Sequence, residues 1–183
     1  MASELGISAT RELRAEHEAI LVITGAIARA LDEGGRFEDA AFWRQAIAFL
    51  RDFVDHVHHA KEESVLFPRL EMRGVPRQGG PIGAMLAEHE RGRGLLDAMT
   101  RLLPALGEPE GPARLAFTRA AYDYTGLLVQ HVAKENAVLF PLAERLLGAE
   151  DDALRRGFAA IDEEAGHVLR HAAALGEHLR GAA

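Results

Sequence analysis

The chain contains no cysteine. That excludes disulfides, thiolate zinc sites and cysteine-held iron–sulfur clusters together, and it suits a reducing compartment. Aromatic residues are scarce, at 6 %, and long segments lack turn signals while Ala and Leu abound, a composition that predicts an all-α fold. No basic face is visible, and the formal charge of -7 argues against nucleic acid as a partner, because phosphate binding wants clustered Lys and Arg. No apolar run approaches the roughly 18 residues of a membrane span. The start, Met1 to Gly6, lacks the basic and apolar regions of a signal peptide. These absences predict a soluble, cytoplasmic protein with no membrane partner. At 183 residues the chain suits one domain and is short for two full-sized ones.

What is present is helical periodicity cut by Gly and Pro. A first helix is expected from Ser8 or Thr10, either able to cap it, to Asp32, with Gly34 and Gly35 ending it. A long second helix should run from about Glu38 to Met72, with Pro68 kinking it or thinning its bonding at the carbonyl of Ser64. Arg73 to Gly83 reads as an ordered connection. A third helix opens near Pro81 and runs to about Leu103, and a fourth follows Pro112 to Leu147 with a late proline at Pro141. The last covers about Asp151 to Arg180.

The chain also repeats itself. Ala-Glu-His17-Glu returns as Ala-Glu-His89-Glu after 72 residues, and His58, Glu62 and Leu66-Phe67-Pro68 return as His131, Glu135 and Leu139-Phe140-Pro141 after 73. Two helical hairpins, about 10–75 and 81–148, are implied. Each supplies one isolated histidine and one His-x-x-x-Glu, a spacing that puts imidazole and carboxylate on one helix face a turn apart. Packed as a four-helix bundle, they bring four imidazoles and two carboxylates to a shared interior. Singly, a helical histidine is more often a surface or satisfied core group, and an i,i+4 His–Glu pair a helix contact worth a few tenths of a kcal/mol. Agreement at six positions reverses that preference. A buried glutamate needs neutralisation, and a cation supplies it. Six such groups are too many for one tetrahedral zinc but fit two irons, each with two histidines and a share in both glutamates. The Leu-Phe-Pro triplets read as packing.

At His17, His58, Glu62, His89, His131 and Glu135 the sequence resembles the hemerythrin-like (HHE cation-binding) family, bacterial single-domain branch, over roughly residues 12–147. The resemblance implies an up-down four-helix bundle with an additional C-terminal helix, and two iron ions with an oxo or hydroxo bridge. Ferritin-like di-iron proteins carry Glu-x-x-His on paired helices with further single glutamates, whereas the repeated order here is His-x-x-x-Glu and the single partners are histidines, which disfavours a ferroxidase of that type. Oxygen-carrying hemerythrins use five histidines, and the repeat supplies four, so a fifth would come from His167 or His171, one turn apart on the last helix. His56 and His59 are expected in an outer shell or in solvent, His59 because it points about 100° away from His58 on an α-helix. Glu63, whose counterpart is Asn136, stays open, as does Tyr124, which either hydrogen-bonds near the site or packs.

The function so implied is binding of dioxygen or related small ligands (nitric oxide, peroxide), in oxygen or stress sensing, storage or delivery. The alternative is a di-iron oxidoreductase acting on peroxide or oxygen. One open coordination position favours reversible binding, two favour turnover. Iron–sulfur cluster repair ranks lower, since that branch commonly carries a cysteine-bearing N-terminal domain. No redox partner is named by the sequence.

Overall fold

The structure, a computed structural model, describes residues 8–107 and 111–166. Among them every element is helical. α1 (Ser8–Asp32) is followed by a continuous rod made of α2 (Ala40–Phe49), the π-helical π1 (Leu50–His59) and π2 (Glu62–Leu66), and α3 (Phe67–Met72). α4 (Gly80–Leu102) then leads to a second composite rod of α5 (Pro112–Lys134), π3 (Glu135–Leu139) and α6 (Phe140–Leu147), and α7 (Asp151–Glu164) follows. The four long rods form the expected all-α bundle. No helix among the described residues is long and apolar enough to cross a membrane.

The helix ends have identifiable causes. At the start of α1 the cap is distant in sequence: Ala9 N–H donates to Asp151 Oδ1 at 3.0 Å. Thr10 sits inside the helix instead, its hydroxyl donating to Glu144 Oε1 at 2.8 Å. At the other end Gly34 and Gly35 adopt φ of 97° and 91°, the left-handed geometry that lets Gly35 N–H reach Ala30 O at 2.9 Å. A Cβ on Gly35 would lie 2.2 Å from the Phe37 ring. The second rod starts at Ala40, slightly after the expected Glu38, because the Asp39 side chain caps it by accepting from Phe42 N–H at 2.9 Å.

The late prolines coincide with widened turns. Pro68 and Pro141 lack the N–H that the carbonyl four residues back would meet. Each is preceded by a wider turn, in which Phe67 N–H bonds Glu62 O and Phe140 N–H bonds Glu135 O, the five-residue closure of a π-helix. Both repeated glutamates thus open a π turn. π1 carries no such sequence signal and was not foreseen.

Burial divides the bundle along its length. One apolar cluster gathers Ile20, Ile27, Trp43, Leu50, Leu96 and Phe117, among others; the second gathers Leu13, Leu66, Ile82, Leu139, Leu154 and Phe158. Each long rod passes from one cluster to the other, and at the crossing it carries one or two of the repeated His and Glu residues. α7 lies against α1 and π2, and Gly157 permits the approach, since a Cβ there would meet Val65 Cγ1 at 2.7 Å. His167 and His171 lie outside the described residues, as does the expected stretch of the last helix to Arg180.

Candidate metal centre

Between the two apolar clusters lies a polar layer made of the six repeated residues. His17, His58, His89 and His131 are at most 2 % exposed, and Glu62 and Glu135 are fully enclosed. The histidines form two pairs. His17 and His58 turn their Nε2 atoms toward each other at 3.1 Å, with ring centroids 4.7 Å apart and planes at 61°. His89 and His131 repeat this at 3.1 Å, 4.8 Å and 63°. Two rings inclined with their Nε2 edges converging is the posture of neighbouring imidazoles around one cation, with M–N distances of about 2 Å.

Each carboxylate spans both pairs. Glu135 places Oε2 at 3.1 Å from His17 Nε2 and Oε1 at 3.1 Å from His131 Nε2. Glu62 places Oε1 at 3.9 Å from His58 Nε2 and Oε2 at 3.4 Å from His89 Nε2. None of these four oxygens accepts a hydrogen bond of acceptable geometry. Two buried carboxylates left bare in this way cost several kcal/mol unless protonated or bound to a cation. The donor atoms fall into two sets, each within 4.8 Å mutually: His17, His58, Glu62 and Glu135, and Glu62, His89, His131 and Glu135. Nitrogen and oxygen donors in two sets sharing both carboxylates fit a pair of divalent cations.

The protonation pattern shows the same need. Burial, followed by the facing charge of Glu135, pushes Glu62 well above the carboxylate range. Burial also raises Glu135, but the imidazoles of His131 and His17 outweigh it and hold that carboxyl low. His58 is lowered chiefly by burial; burial lowers His131 too, but Glu135 and Glu62 outweigh it and raise that ring, whose proton a bound cation would displace.

The outward nitrogens are held from behind, as metal-binding histidines require. His58 Nδ1 meets Glu16 Oε2 at 2.8 Å, and Glu16 Oε1 accepts from Lys61 Nζ at 2.6 Å. The second hairpin repeats this, with His131 Nδ1 on Glu88 Oε2 at 2.9 Å and Lys134 Nζ on Glu88 Oε1. The isolated histidines are held crosswise: His17 Nδ1 by Asn136 Oδ1 at 3.1 Å, His89 Nδ1 by Glu63 Oε1 at 2.7 Å. Phe140 stacks on His17 and Phe67 on His89, at 5.3 and 6.0 Å between centroids. The Leu-Phe-Pro triplets are therefore packing, as expected, but packing laid directly on the isolated histidines.

Sequence reasoning missed Glu16, Glu88, Lys61 and Lys134, although the repeated Ala-Glu-His and Ala-Lys-Glu stretches signalled them. Glu63, left open, holds His89. His56 is exposed, its side chain 60 % accessible beside Asp52, within the expectation for it. His59 takes the outer-shell alternative of its expectation: it is buried against His89. It belongs to π1, whose wider turn rotates successive side chains by less than the α-helical 100° assumed from sequence. Its Nδ1 lies 3.4 Å from Asp55 Oδ1 and its Nε2 has no partner. A nitrogen of its ring comes within 4.8 Å of His89 and His131, but the ring stacks face to face on His89 at 3.8 Å and 15°. Parallel stacked rings cannot both aim their edges at one ion, so His59 covers His89 rather than joining its set in this arrangement. Tyr124 packs at the site: with His59, His89, Gly92, Leu128 and His131 it lines a small cavity between α4 and α5.

Comparison with known proteins follows the same lines. A family model described as "Hemerythrin HHE cation binding domain" matches residues 8–143. An uncharacterized protein of Mycobacterium tuberculosis is 26 % identical over 149 residues, covering 80 % of this chain and 57 % of that protein. The iron-sulfur cluster repair protein YtfE of Yersinia pestis is 37 % identical over 103 residues, covering 54 % of this chain and 44 % of its own. The chain thus spans about half the length of these curated relatives. No solved structure matches it significantly.

Proposed function

The chain belongs to the hemerythrin HHE cation-binding family, and on that premise we propose that it holds two iron ions and uses them to bind dioxygen or a related small ligand such as nitric oxide or peroxide. His17 and His58 would hold one ion, His89 and His131 the other, with Glu62 and Glu135 shared and a solvent-derived oxo or hydroxo bridge between them. One observation carries the reading: four carboxylate oxygens buried without a donor, spanned between two converging imidazole pairs.

Iron bound there would supply electrons to an oxygen-type ligand. The protein's own residues supply the rest. Glu16, Glu88, Glu63 and Asn136 fix which nitrogen of each histidine faces inward. The apolar clusters on either side and the rings of Phe67 and Phe140 keep water from the layer. A small cavity under Tyr124, with room for no more than about one water, adjoins His89 and His131.

Anaerobic loading with ferrous iron followed by oxygen tests the reading. A change in the visible spectrum that reverses when oxygen is removed supports binding; immediate, irreversible conversion to an oxygen-insensitive ferric form counts against it.

The alternative, turnover of peroxide or oxygen by a di-iron oxidoreductase, is favoured by the placement of His59. Because that ring stacks on His89, no fifth imidazole among the described residues enters the set; His167 and His171, the candidates for it, lie outside those residues. Sustained peroxide consumption lost in Glu62→Ala would favour this reading. The likeness to an iron-sulfur cluster repair protein supports a third, that the pair acts on damaged clusters; restoration of a cluster-containing enzyme by the iron-loaded chain would test it.

A further inference from the structure

Two hairpins of common pattern would make two equal metal positions if every group behind the histidines were also repeated. Three of the four are, in kind: Glu16, Glu88 and Glu63 are all carboxylates set against an Nδ1. The fourth is Asn136, an amide, at the repeat position of Glu63.

The charges around these two holding groups preserve the difference, while behind His58 and His131 the group on Nδ1 is a carboxylate in both cases, with Lys61 also meeting Glu12 and Asp162 on the His58 side. Glu63 accepts from Arg93 Nη2 at 2.5 Å, but Arg93 Nε also donates to Asp55 Oδ1 at 2.8 Å. The group of Asp55, Glu63 and Arg93 therefore keeps one net negative charge next to His89. Behind His17 the Asn136 amide oxygen accepts from Arg14 Nη1 at 3.1 Å, and Arg14 in turn pairs with Glu144 at 3.4 Å. That group is neutral. A carboxylate drawing on Nδ1–H makes the opposite ring nitrogen a stronger donor to a cation, and an amide does so less. The contact lengths agree, 2.7 Å at His89 and 3.1 Å at His17.

We propose that the two metal positions are unequal, and that the position held by His89 and His131 binds its cation more tightly than the one held by His17 and His58, because Glu63 stands behind His89 where Asn136 stands behind His17. The inference rests on the two-metal reading above. Glu63 and Asn136 are positioning residues here: neither reaches the carboxylate oxygens at the centre, and each acts through the histidine it holds. The pair would then fill in order, His89 and His131 first, although the six central residues are repeated in kind.

Loading the chain with one equivalent of zinc(II) and measuring anomalous scattering at each position in crystals tests this. Loss of an outer-shell partner of a metal-binding histidine costs about 10- to 100-fold in affinity, so the wild type should favour the His89 and His131 position by about 10-fold or more. Glu63→Gln should bring the occupancies toward equality. Asn136→Asp, which keeps the shape of the side chain and adds the missing charge, should do the same by strengthening the other position, and the double variant should reverse the order. Both changes are isosteric, and stepwise titration calorimetry in solution gives the same ratio without crystals. Equal occupancy in the wild type, preference for His17 and His58, or a ratio unmoved by Glu63→Gln overturns the inference while leaving the two-metal reading intact. Zinc at neither position overturns both.

Discussion

Glu62 is expected to destabilise the metal-free protein, so Glu62→Gln should stabilise it while impairing metal binding. Both Glu62 oxygens are enclosed and accept no hydrogen bond, and Glu135 lies within 4.8 Å in each donor set. A buried unsatisfied group costs about 1–3 kcal/mol. The glutamine amide removes the like charge and can donate toward Glu135, so the gain at neutral pH should fall in that range. For a chain of this size about 1 kcal/mol moves the midpoint by about 2–4 °C, so a rise of several degrees is expected in thermal denaturation of the metal-free protein. Added zinc should then raise the midpoint of the wild type more than that of the variant. The pH dependence provides an internal control. A carboxyl whose folded pKa lies above its ordinary 4.5 costs stability only where the unfolded chain is ionised, and the cost disappears as pH falls toward 4.5. The advantage of Glu62→Gln should therefore shrink with acidification. A metal-free variant less stable than wild type at neutral pH would refute the reasoning, because Glu62 would then be a satisfied group.

Lys61 is enclosed to 1 % among Glu12, Glu16 and Asp162, whereas Lys134 is 42 % exposed on Glu88; Lys61→Met should cost about 2–4 kcal/mol in urea unfolding after discounting for its partly exposed partners, and Lys134→Met less than about 1 kcal/mol. Gly35→Ala forces a left-handed backbone and a Cβ 2.2 Å from Phe37, and should lower stability by more than about 1 kcal/mol in the same assay. Glu16 and Glu63 are raised by burial but held below the carboxylate range by their partners, His58 and Lys61 for one, His89 and Arg93 for the other; their contribution is present above 4.5 and lost as pH falls through their lower folded values. Urea unfolding of metal-free Glu62→Gln across the acid range should show that loss, without the opposing effect of Glu62.

The fold was legible because helix periodicity and Gly/Pro punctuation act locally: Gly34 and Gly35 end α1 through their own backbone geometry, and Pro68 and Pro141 disturb the turn before them wherever the rod packs. The six central residues were legible because repetition makes a pattern that one helix face cannot produce by chance. What escaped was whatever depends on the angle per residue or on a second chain segment. The stacking of His59 on His89 was not read from an ideal α-helix, because His59 lies in a π-helix with a wider turn. The cap of α1 comes from Asp151, and the crosswise holding of His17 by Asn136 and His89 by Glu63 joins opposite hairpins. Such pairings follow from packing, and spacing along the chain does not encode them.

The most direct test of the account is the metal content of the full chain after anaerobic ferrous loading and removal of loose iron, compared between wild type and a Glu62→Ala, Glu135→Ala double variant. The account predicts about two irons per chain in the wild type, and neither ion retained when both shared carboxylates are removed. A wild-type protein that folds stably and retains no iron, or a double variant that keeps both ions, would contradict it.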